Sequence, residues 1–83
     1  MQITIKLYAM LTDYLPANAE KNVCTLELAD NTTVEQVIRQ LQLPERYVHL
    51  VLLNGIYINH DRLAETLLNE ADILAIWPPV AGG

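Results

Sequence analysis

Only one stretch of this chain has the periodicity of an amphipathic helix, and that stretch limits the folds available to it. Apolar residues recur there at positions i, i+3, i+4 and i+7, which are Val34, Val37, Ile38 and Leu41. The spacing predicts one continuous apolar stripe along a helix of about two to three turns. Thr32 and Glu35 have the spacing of a capping box at its start, and Pro44 cannot continue it. A lone helix of this kind must bury its stripe against a sheet formed by the rest of the chain.

Strand patterns dominate the remaining sequence. The predicted strands are residues 2–7, 23–28, 48–53, 56–58 and 73–77. The first two alternate polar and apolar side chains and are expected to pair as a hairpin-like unit, whereas the last is apolar throughout, as in a central strand buried on both faces. Asn54-Gly55 predicts the hairpin turn between the third and fourth strands. Residues 8–15 predict a short helical turn that ends near Pro16, and residues 59–69 fit either a helical turn or an irregular loop.

The order strand, strand, helix, strand, short strand, strand predicts an α+β fold of the β-grasp type, with one helix on one face of a mixed sheet. At 83 residues the chain is long enough for one domain. We predict a β-grasp domain over residues 1–79 and a flexible tail over residues 80–83. No second helix covers the other face, so apolar residues pointing away from the helix are expected to be exposed. The candidates are Val51, Leu53, Leu74 and Ile76.

The composition favours a protein partner. Apolar residues make up 52% of the chain, which is high for a domain that buries only a little over ~60% of its unfolded surface. Part of the apolar surface is therefore expected to contact another protein. Ten acidic and five basic residues give a net charge of −5, which argues against nucleic acid and anionic membranes as partners. A substrate cleft would hollow out so small a core, which argues against an enzyme pocket.

Cysteine and histidine give no sign of a redox or metal centre. With one cysteine the chain cannot form an internal disulfide. Cys24 shares a strand face with Leu26 and Leu28, so we interpret it as a small buried apolar residue rather than a sulfur-transfer nucleophile. His49 and His60 have no cysteine or paired acid at ligand spacing, and no metal site is predicted. The alternating N-terminus lacks the apolar core of a signal peptide, so we expect a cytoplasmic protein.

The last six residues are the part of the chain predicted to react. They read Pro78-Pro79-Val80-Ala81-Gly82-Gly83 and include two of the three glycines of the chain. The prolines are expected to direct the backbone away from the sheet in an extended conformation, so that residues 80–83 reach about 13–14 Å beyond the fold. The glycines lack a Cβ atom and allow a narrow channel in another protein to close around them. Such a tail suits delivery of its carboxylate into a partner's active site, where attack on the α-phosphate of ATP gives an acyl-adenylate that a sulfur nucleophile can convert to a thiocarboxylate.

The Trp-Pro-Pro-Val-Ala-Gly-Gly ending resembles that of the MoaD/ThiS family of ubiquitin-like sulfur carriers. The likeness is greatest to the small subunits of molybdopterin synthases, in which a Pro-Pro-Val-(small)-Gly-Gly ending is characteristic. It extends to Leu7-Tyr8-Ala9, Thr33-Val34 and Leu53-Asn54-Gly55. Ala71-Asp72 departs from the Gly-Asp that family members commonly have before the last strand. Carriers for thiamine synthesis also end in Gly-Gly but usually lack the Pro-Pro-Val element, so they are the second candidate.

The resemblance implies a role for each residue of the tail. Gly83 is then the residue that is adenylated and thiocarboxylated. Gly82 is the residue before it, which is required to have no side chain. The residues expected to contact the partners are Trp77, Pro78, Pro79, Val80 and Ala81. The implied partners are a ubiquitin-activating-type adenylating enzyme that uses ATP, a persulfide sulfur donor, and a larger synthase subunit that accepts the sulfur for molybdopterin. The chain is then a carrier subunit without a cofactor of its own, rather than a complete enzyme.

Two functions from other classes stay open. A ubiquitin-like protein modifier would use the same adenylate but pass its acyl group to a lysine, and a binding module would leave the tail inert. Trp77 also has two interpretations, because a tryptophan beside the tail either packs within the core or contacts the partner that receives the tail.

Overall fold

Five strands and one α-helix make up the part of the chain that the computed structural model describes, residues 1–79. The strands are β1 (Gln2–Leu7), β2 (Val23–Glu27), β3 (Leu50–Leu53), β4 (Ile56–Tyr57) and β5 (Ile73–Trp77). The helix, α1, spans Val34–Gln40. Three 3₁₀ turns lie at Ala9–Tyr14, Glu45–Tyr47 and His60–Arg62. Each predicted strand is confirmed, although β3 begins two residues later than the sequence suggested.

The strands form one mixed sheet in the order β2-β1-β5-β3-β4. β1 pairs antiparallel with β2 and parallel with β5, while β3 pairs antiparallel with both β5 and β4. β5 is thus the central strand, as its unbroken apolar sequence predicted. The arrangement is a ubiquitin-like β-grasp, which confirms the predicted fold class. The predicted tail, residues 80–83, lies outside the described residues.

Helix α1 is confirmed, but its cap lies one residue later than predicted. The hydroxyl of Thr33 accepts a hydrogen bond from the backbone N–H of Gln36 (3.2 Å), and the Gln36 side-chain oxygen accepts one from the N–H of Thr33 (2.8 Å). This is a reciprocal capping box. The hydroxyl of Thr32 is used elsewhere, because it donates to the carbonyl of Ala29 (2.7 Å). The predicted box between Thr32 and Glu35 is therefore wrong.

The end of α1 is a Schellman motif. The N–H of Leu43 donates to the carbonyl of Ile38 (3.1 Å), and the N–H of Gln42 donates to that of Arg39 (3.0 Å). Gln42 has a φ of +60°, a conformation that most helices give to glycine. Within residues 1–79, no helix is both long and apolar enough to cross a bilayer.

One face of the sheet is buried beneath α1. In the parallel pair, Ile5 lies opposite Leu74 and Leu7 lies opposite Ile76. These four side chains share the helix-side face and are fully buried. The stripe of α1 covers them, and its residues Val34, Val37 and Ile38 are likewise buried. The core therefore lies between α1 and the helix-side face.

The side chains predicted to be exposed face this core instead. Val51, Leu74 and Ile76 have no exposed surface, and Leu53 is half-buried against the same cluster. The prediction is wrong because an entirely apolar strand gives no period by which to assign its two faces. The face away from the helix carries the alternate residues of β5, of which Ile73 is 40% exposed.

Residues 59–69 form an irregular loop that crosses the start of α1. After the 3₁₀ turn His60–Arg62, the N–H of Leu68 donates to the carbonyl of Thr32 (2.9 Å). Leu63 and Leu68 are buried in the core. Two apolar anchors and three backbone hydrogen bonds to the start of α1 therefore hold the part of this segment that follows its 3₁₀ turn.

Candidate functional site at the end of strand β5

The last residues of β5 are held on both sides. The N–H of Tyr8 donates to the carbonyl of Ile76 (3.2 Å), and the N–H of His49 donates to that of Trp77 (3.0 Å). Strand β5 is thus hydrogen-bonded to its final residue. Pro78 is buried and Pro79 is exposed, so the chain leaves the domain surface between the two prolines. Neither proline has an N–H to extend the sheet.

An aromatic stack lies where the chain leaves the sheet. The rings of Tyr8 and Trp77 are nearly parallel, with a centroid separation of 4.1 Å and an interplanar angle of 5°. Trp77 is half-buried on the face away from α1 rather than packed within the core. The sequence analysis missed the role of Tyr8 in this stack. The only signal was an aromatic residue at the end of the first strand and another at the end of the last.

Apolar side chains continue from the stack across the uncovered face of the sheet. The register places Leu50 opposite Trp77 and Leu52 opposite Ala75. We call these residues, together with Ile73, the open-face strip. The predicted contact residue Trp77 forms its end nearest the prolines. The sheet therefore presents an apolar strip, flanked on β1 by Thr4 and Lys6, next to the point where the chain leaves the domain.

The other end of β5 is tied to the β3–β4 hairpin. The Asn54 side chain donates to a carboxylate oxygen of Asp72 (2.9 Å) and accepts from the N–H of Ile73 (2.8 Å). The second carboxylate oxygen of Asp72 accepts from the N–H of Asn69 (2.7 Å). Ala71, at the position where the resemblance implies a glycine, has a φ of +70°. The bonds of Asn54 and Asp72 fix where β5 begins and hold the turn with alanine at this position.

Comparison with known proteins decides the family. The model of the ThiS family matches residues 15–83, which include the Gly82-Gly83 ending. The chain belongs to the ThiS family. The resemblance to MoaD/ThiS carriers is therefore confirmed. No curated protein sequence matches the chain.

Solved structures share the fold of this ThiS-family chain. Small archaeal modifier protein 1 from Haloferax volcanii is 20% identical, with a TM-score of 0.68 over 95% of this chain and 98% of that one. One chain from the structure of the complex of subunits 1 and 2 of the molybdopterin-converting factor from Helicobacter pylori matches at 19% identity and a TM-score of 0.62, with 100% of this chain and 100% of that chain covered. The thiamine biosynthesis protein ThiS from Geobacter metallireducens matches at 17% identity and a TM-score of 0.67, also with full coverage. At these identities the likeness shows the β-grasp fold alone.

The predicted reactive residues of the tail lie beyond the described part of the chain. Val80, Ala81, Gly82 and Gly83 are outside residues 1–79, so their roles stay predictions. Of the predicted partner contacts, Trp77, Pro78 and Pro79 are described, and they lie together where the chain leaves the sheet.

Cys24 is not placed for sulfur chemistry. The side chain is 3% exposed and lies opposite Ile5 on the helix-side face. Burial raises the pKa of the Cys24 thiol, and this disfavours the thiolate that sulfur transfer requires. The interpretation of Cys24 as a buried apolar residue is confirmed.

Histidine and acidic side chains form no metal centre in the described region. The Nε2 atom of His60 lies 2.9 Å from the backbone carbonyl oxygen of His49. The two histidines are therefore joined through a side chain and a backbone group. Within residues 1–79, no three His, Cys, Asp or Glu side chains are grouped so as to hold a metal ion.

A cavity of about 270 Å³ lies on the helix side of the sheet. Its apolar lining comes from Ile38, Leu43, Val48 and Leu63, and its polar lining includes Glu35. Trp77, Pro78 and Pro79 do not line it. The cavity is therefore separate from the candidate site.

Proposed function

We propose that this chain is a sulfur carrier that reacts at the carboxylate of Gly83. The observation that carries the proposal is the family match through Gly82-Gly83 on a chain whose last strand ends at Trp77. Pro79 is exposed, and the four residues after it span about 13–14 Å when extended. That reach suits an active site recessed in a partner. Gly82 and Gly83 suit a narrow entrance because they carry no side chain.

The proposed reaction has two stages. The Gly83 carboxylate attacks the α-phosphate of ATP in a ubiquitin-activating-type enzyme, and pyrophosphate leaves. The terminal sulfur of a persulfide donor then attacks the acyl carbon and displaces AMP. A donor thiol cleaves the resulting S–S bond, which leaves the thiocarboxylate on Gly83 and a disulfide on the donor. ATP is thus a substrate of the partner. We place this chemistry in the cytoplasm, and neither nucleic acid nor a membrane takes part.

For the product, we propose molybdopterin. The Pro78-Pro79-Val80 element before the glycines supports this route, as does the fold shared with the two-subunit molybdopterin-converting factor of Helicobacter pylori. A larger synthase subunit would accept the sulfur and insert two sulfur atoms into a pterin precursor. The dithiolene formed in this way would hold molybdenum or tungsten.

Two other destinations for the acyl group have support of their own. The family match and the likeness to ThiS of Geobacter metallireducens favour thiamine or another thiolated product. The likeness to small archaeal modifier protein 1 favours transfer to a lysine of another protein. All three destinations share the adenylate at Gly83.

The open-face strip is our candidate docking surface for these partners. It is apolar, includes the 40% exposed Ile73, and ends at Trp77 beside the prolines. A partner seated there would receive the tail without a rearrangement of the sheet. The net charge of −5 favours a partner with a basic rim.

Intact-protein mass spectrometry tests the proposal directly. The chain is incubated with its activating enzyme, ATP and a persulfide donor, and a mass gain equal to replacing one oxygen by sulfur is expected at Gly83. Deletion of Gly83, or extension by one alanine beyond it, should abolish the gain, while Ile56→Ala on the outer strand β4 should leave it intact. An unchanged wild-type mass, with an activating enzyme that is active on another carrier, would overturn the proposal and favour an inert tail.

The destination is tested on the thiocarboxylated chain. Added to the larger synthase subunit and the pterin precursor, it should return to its original mass as molybdopterin forms. Conjugates of higher mass in a lysate blot, with no molybdopterin formed, would instead identify a protein modifier.

A further inference from the structure

We propose that Tyr8 is a positioning residue for the reaction at the tail, because its ring fixes Trp77 and thereby the direction in which Pro79 leaves the domain. This inference rests on the proposed function. Tyr8 lies 75 positions before Gly83, so any role in the reaction must act through the residues between the sheet and the tail. The stacked ring of Trp77 provides that connection.

The geometry of the stack restricts the indole of Trp77. A centroid separation of 4.1 Å at an angle of 5° places one ring face against the other, so the indole cannot rotate about its side-chain torsions without losing this contact. Leu50, the register partner of Trp77, occupies the adjacent position on the same face of the sheet. The indole is therefore held by the ring of Tyr8, and Leu50 is its register neighbour on β3.

Tyr8 is itself held in place. Its N–H donates to the carbonyl of Ile76 (3.2 Å), and its carbonyl accepts from the N–H of Leu11 (3.1 Å), a residue without exposed surface. Ala9, the next residue, has a φ of +53° and turns the chain into the 3₁₀ turn. Tyr8 is thus the last extended residue after β1. Hydrogen bonds at both its N–H and its carbonyl hold the backbone that carries its ring.

Few torsions separate the fixed indole from the tail. Proline holds φ near −65°, which removes one free torsion at Pro78 and one at Pro79. A residue before proline is restricted to extended conformations, and this applies to both Trp77 and Pro78. Pro78 is also buried. The direction set at Trp77 is therefore carried to Pro79 with little loss. The Tyr8 ring adds to the hydrogen bond from the N–H of His49 (3.0 Å) that holds the carbonyl of Trp77.

Direction matters because adenylation requires the carboxylate in line with the α-phosphate of ATP. A misplacement of about 1 Å can lower a rate about 10²-fold even when the altered residue is far from the reacting atoms. Docking on the open-face strip can proceed with a misdirected tail, whereas the chemical step cannot. A positioning role thus predicts a loss in kcat, while a contact role predicts a rise in KM.

The test compares three variants in pyrophosphate exchange catalysed by the activating enzyme. Tyr8→Leu removes the ring but keeps an apolar side chain, Tyr8→Phe restores the ring, and Leu41→Ala removes core packing beneath α1 without touching the stack. We expect Tyr8→Leu to lower kcat about tenfold with KM within about twofold. Tyr8→Phe should stay within about twofold of wild type in both parameters, and Leu41→Ala should keep both although its melting temperature falls.

A spectroscopic readout follows the stack in the carrier alone. Trp77 is the only tryptophan, so its near-ultraviolet circular dichroism should diminish in Tyr8→Leu and persist in Tyr8→Phe and Leu41→Ala. An unchanged kcat in Tyr8→Leu, or a loss seen only in KM, would overturn the positioning role while leaving the proposed function intact. Failure of the wild-type chain to support exchange would overturn the proposed function, and the positioning role with it.

Discussion

The two faces of the sheet are almost equally apolar along β5 but have opposite environments. On the helix-side face, Leu74 and Ile76 have no exposed surface, whereas Ile73 on the open face is 40% exposed. Both sets lie on the same five-residue strand. One face therefore stabilises the domain, and the other remains available for a partner. The comparison teaches that hydrophobicity alone does not separate core from interface in so short a strand.

The first prediction concerns the free energy of unfolding and has the largest effect. Leu74→Ala should lower it by about 2–5 kcal/mol, because a cavity forms beneath α1. Ile73→Ala, one position earlier on the open face, should lower it by only about 1 kcal/mol, because its side chain already contacts water. Urea unfolding of both variants checks this, and equal losses would contradict the division between the two faces.

The second prediction concerns affinity for the proposed adenylating enzyme. Ile73→Glu introduces a charge into the open-face strip and should weaken binding about tenfold, or about 1.4 kcal/mol, measured by titration calorimetry. Ile56→Glu makes the same change at a 67% exposed position that faces the other side of the sheet. This control should bind like wild type. Equal weakening by both variants would show a general charge effect instead of docking on the strip.

The third prediction uses the pH dependence of the helix-side face. Burial raises the pKa of the Cys24 thiol, so the folded chain holds the proton at pH values where the unfolded chain loses it. The stabilisation is complete below the unfolded pKa of about 8.5 and is lost as the pH rises through the folded value. At pH 9, wild type should therefore have lost stability relative to Cys24→Ala. Urea titrations of both proteins at pH 7 and 9 measure this difference, and parallel behaviour would contradict it.

The fourth prediction concerns the turn that precedes β5, and its expected effect on the free energy of unfolding is the smallest. Ala71 has a φ of +70°, which is unfavourable for a residue with a Cβ atom. Ala71→Gly should therefore raise the free energy of unfolding by about 0.5 kcal/mol, since relief of strain exceeds the added entropy of the unfolded chain. The exposed Ala29 has no such conformation, and Ala29→Gly should lower stability. A loss in both variants would show that the turn is not strained.

Much of the fold could be predicted because its signals are local. The alternation in β1 and β2, the helical stripe and the Asn54-Gly55 turn each act within a few residues. The helix cap was displaced because the sequence contains two overlapping patterns, Thr32 with Glu35 and Thr33 with Gln36. Local spacing cannot choose between them, and only the contacts of the Thr32 hydroxyl and carbonyl do so.

The features that could not be predicted depend on partners far apart in the chain. Because every residue of β5 is apolar, its sequence does not indicate which side chains face α1. The pairing of β5 with β1 determines this. The stack joins Tyr8 to Trp77, whose proximity follows from the same parallel register. The loop over residues 59–69 is held by backbone hydrogen bonds to Thr32, Val34 and Glu35, and its sequence has no periodicity of its own.

The central position of β5 also has a consequence during synthesis. It is the last strand to be made, and both β1 and β3 pair with it. Until it is available, a nascent chain holds two separate hairpins, and isolated two-stranded hairpins are at best marginally stable in water. A chain whose translation stops before Ile73 lacks the tail and cannot complete the sheet. Such a chain also lacks the β5 residues of the open-face strip, because Ile73, Ala75 and Trp77 all lie beyond that point.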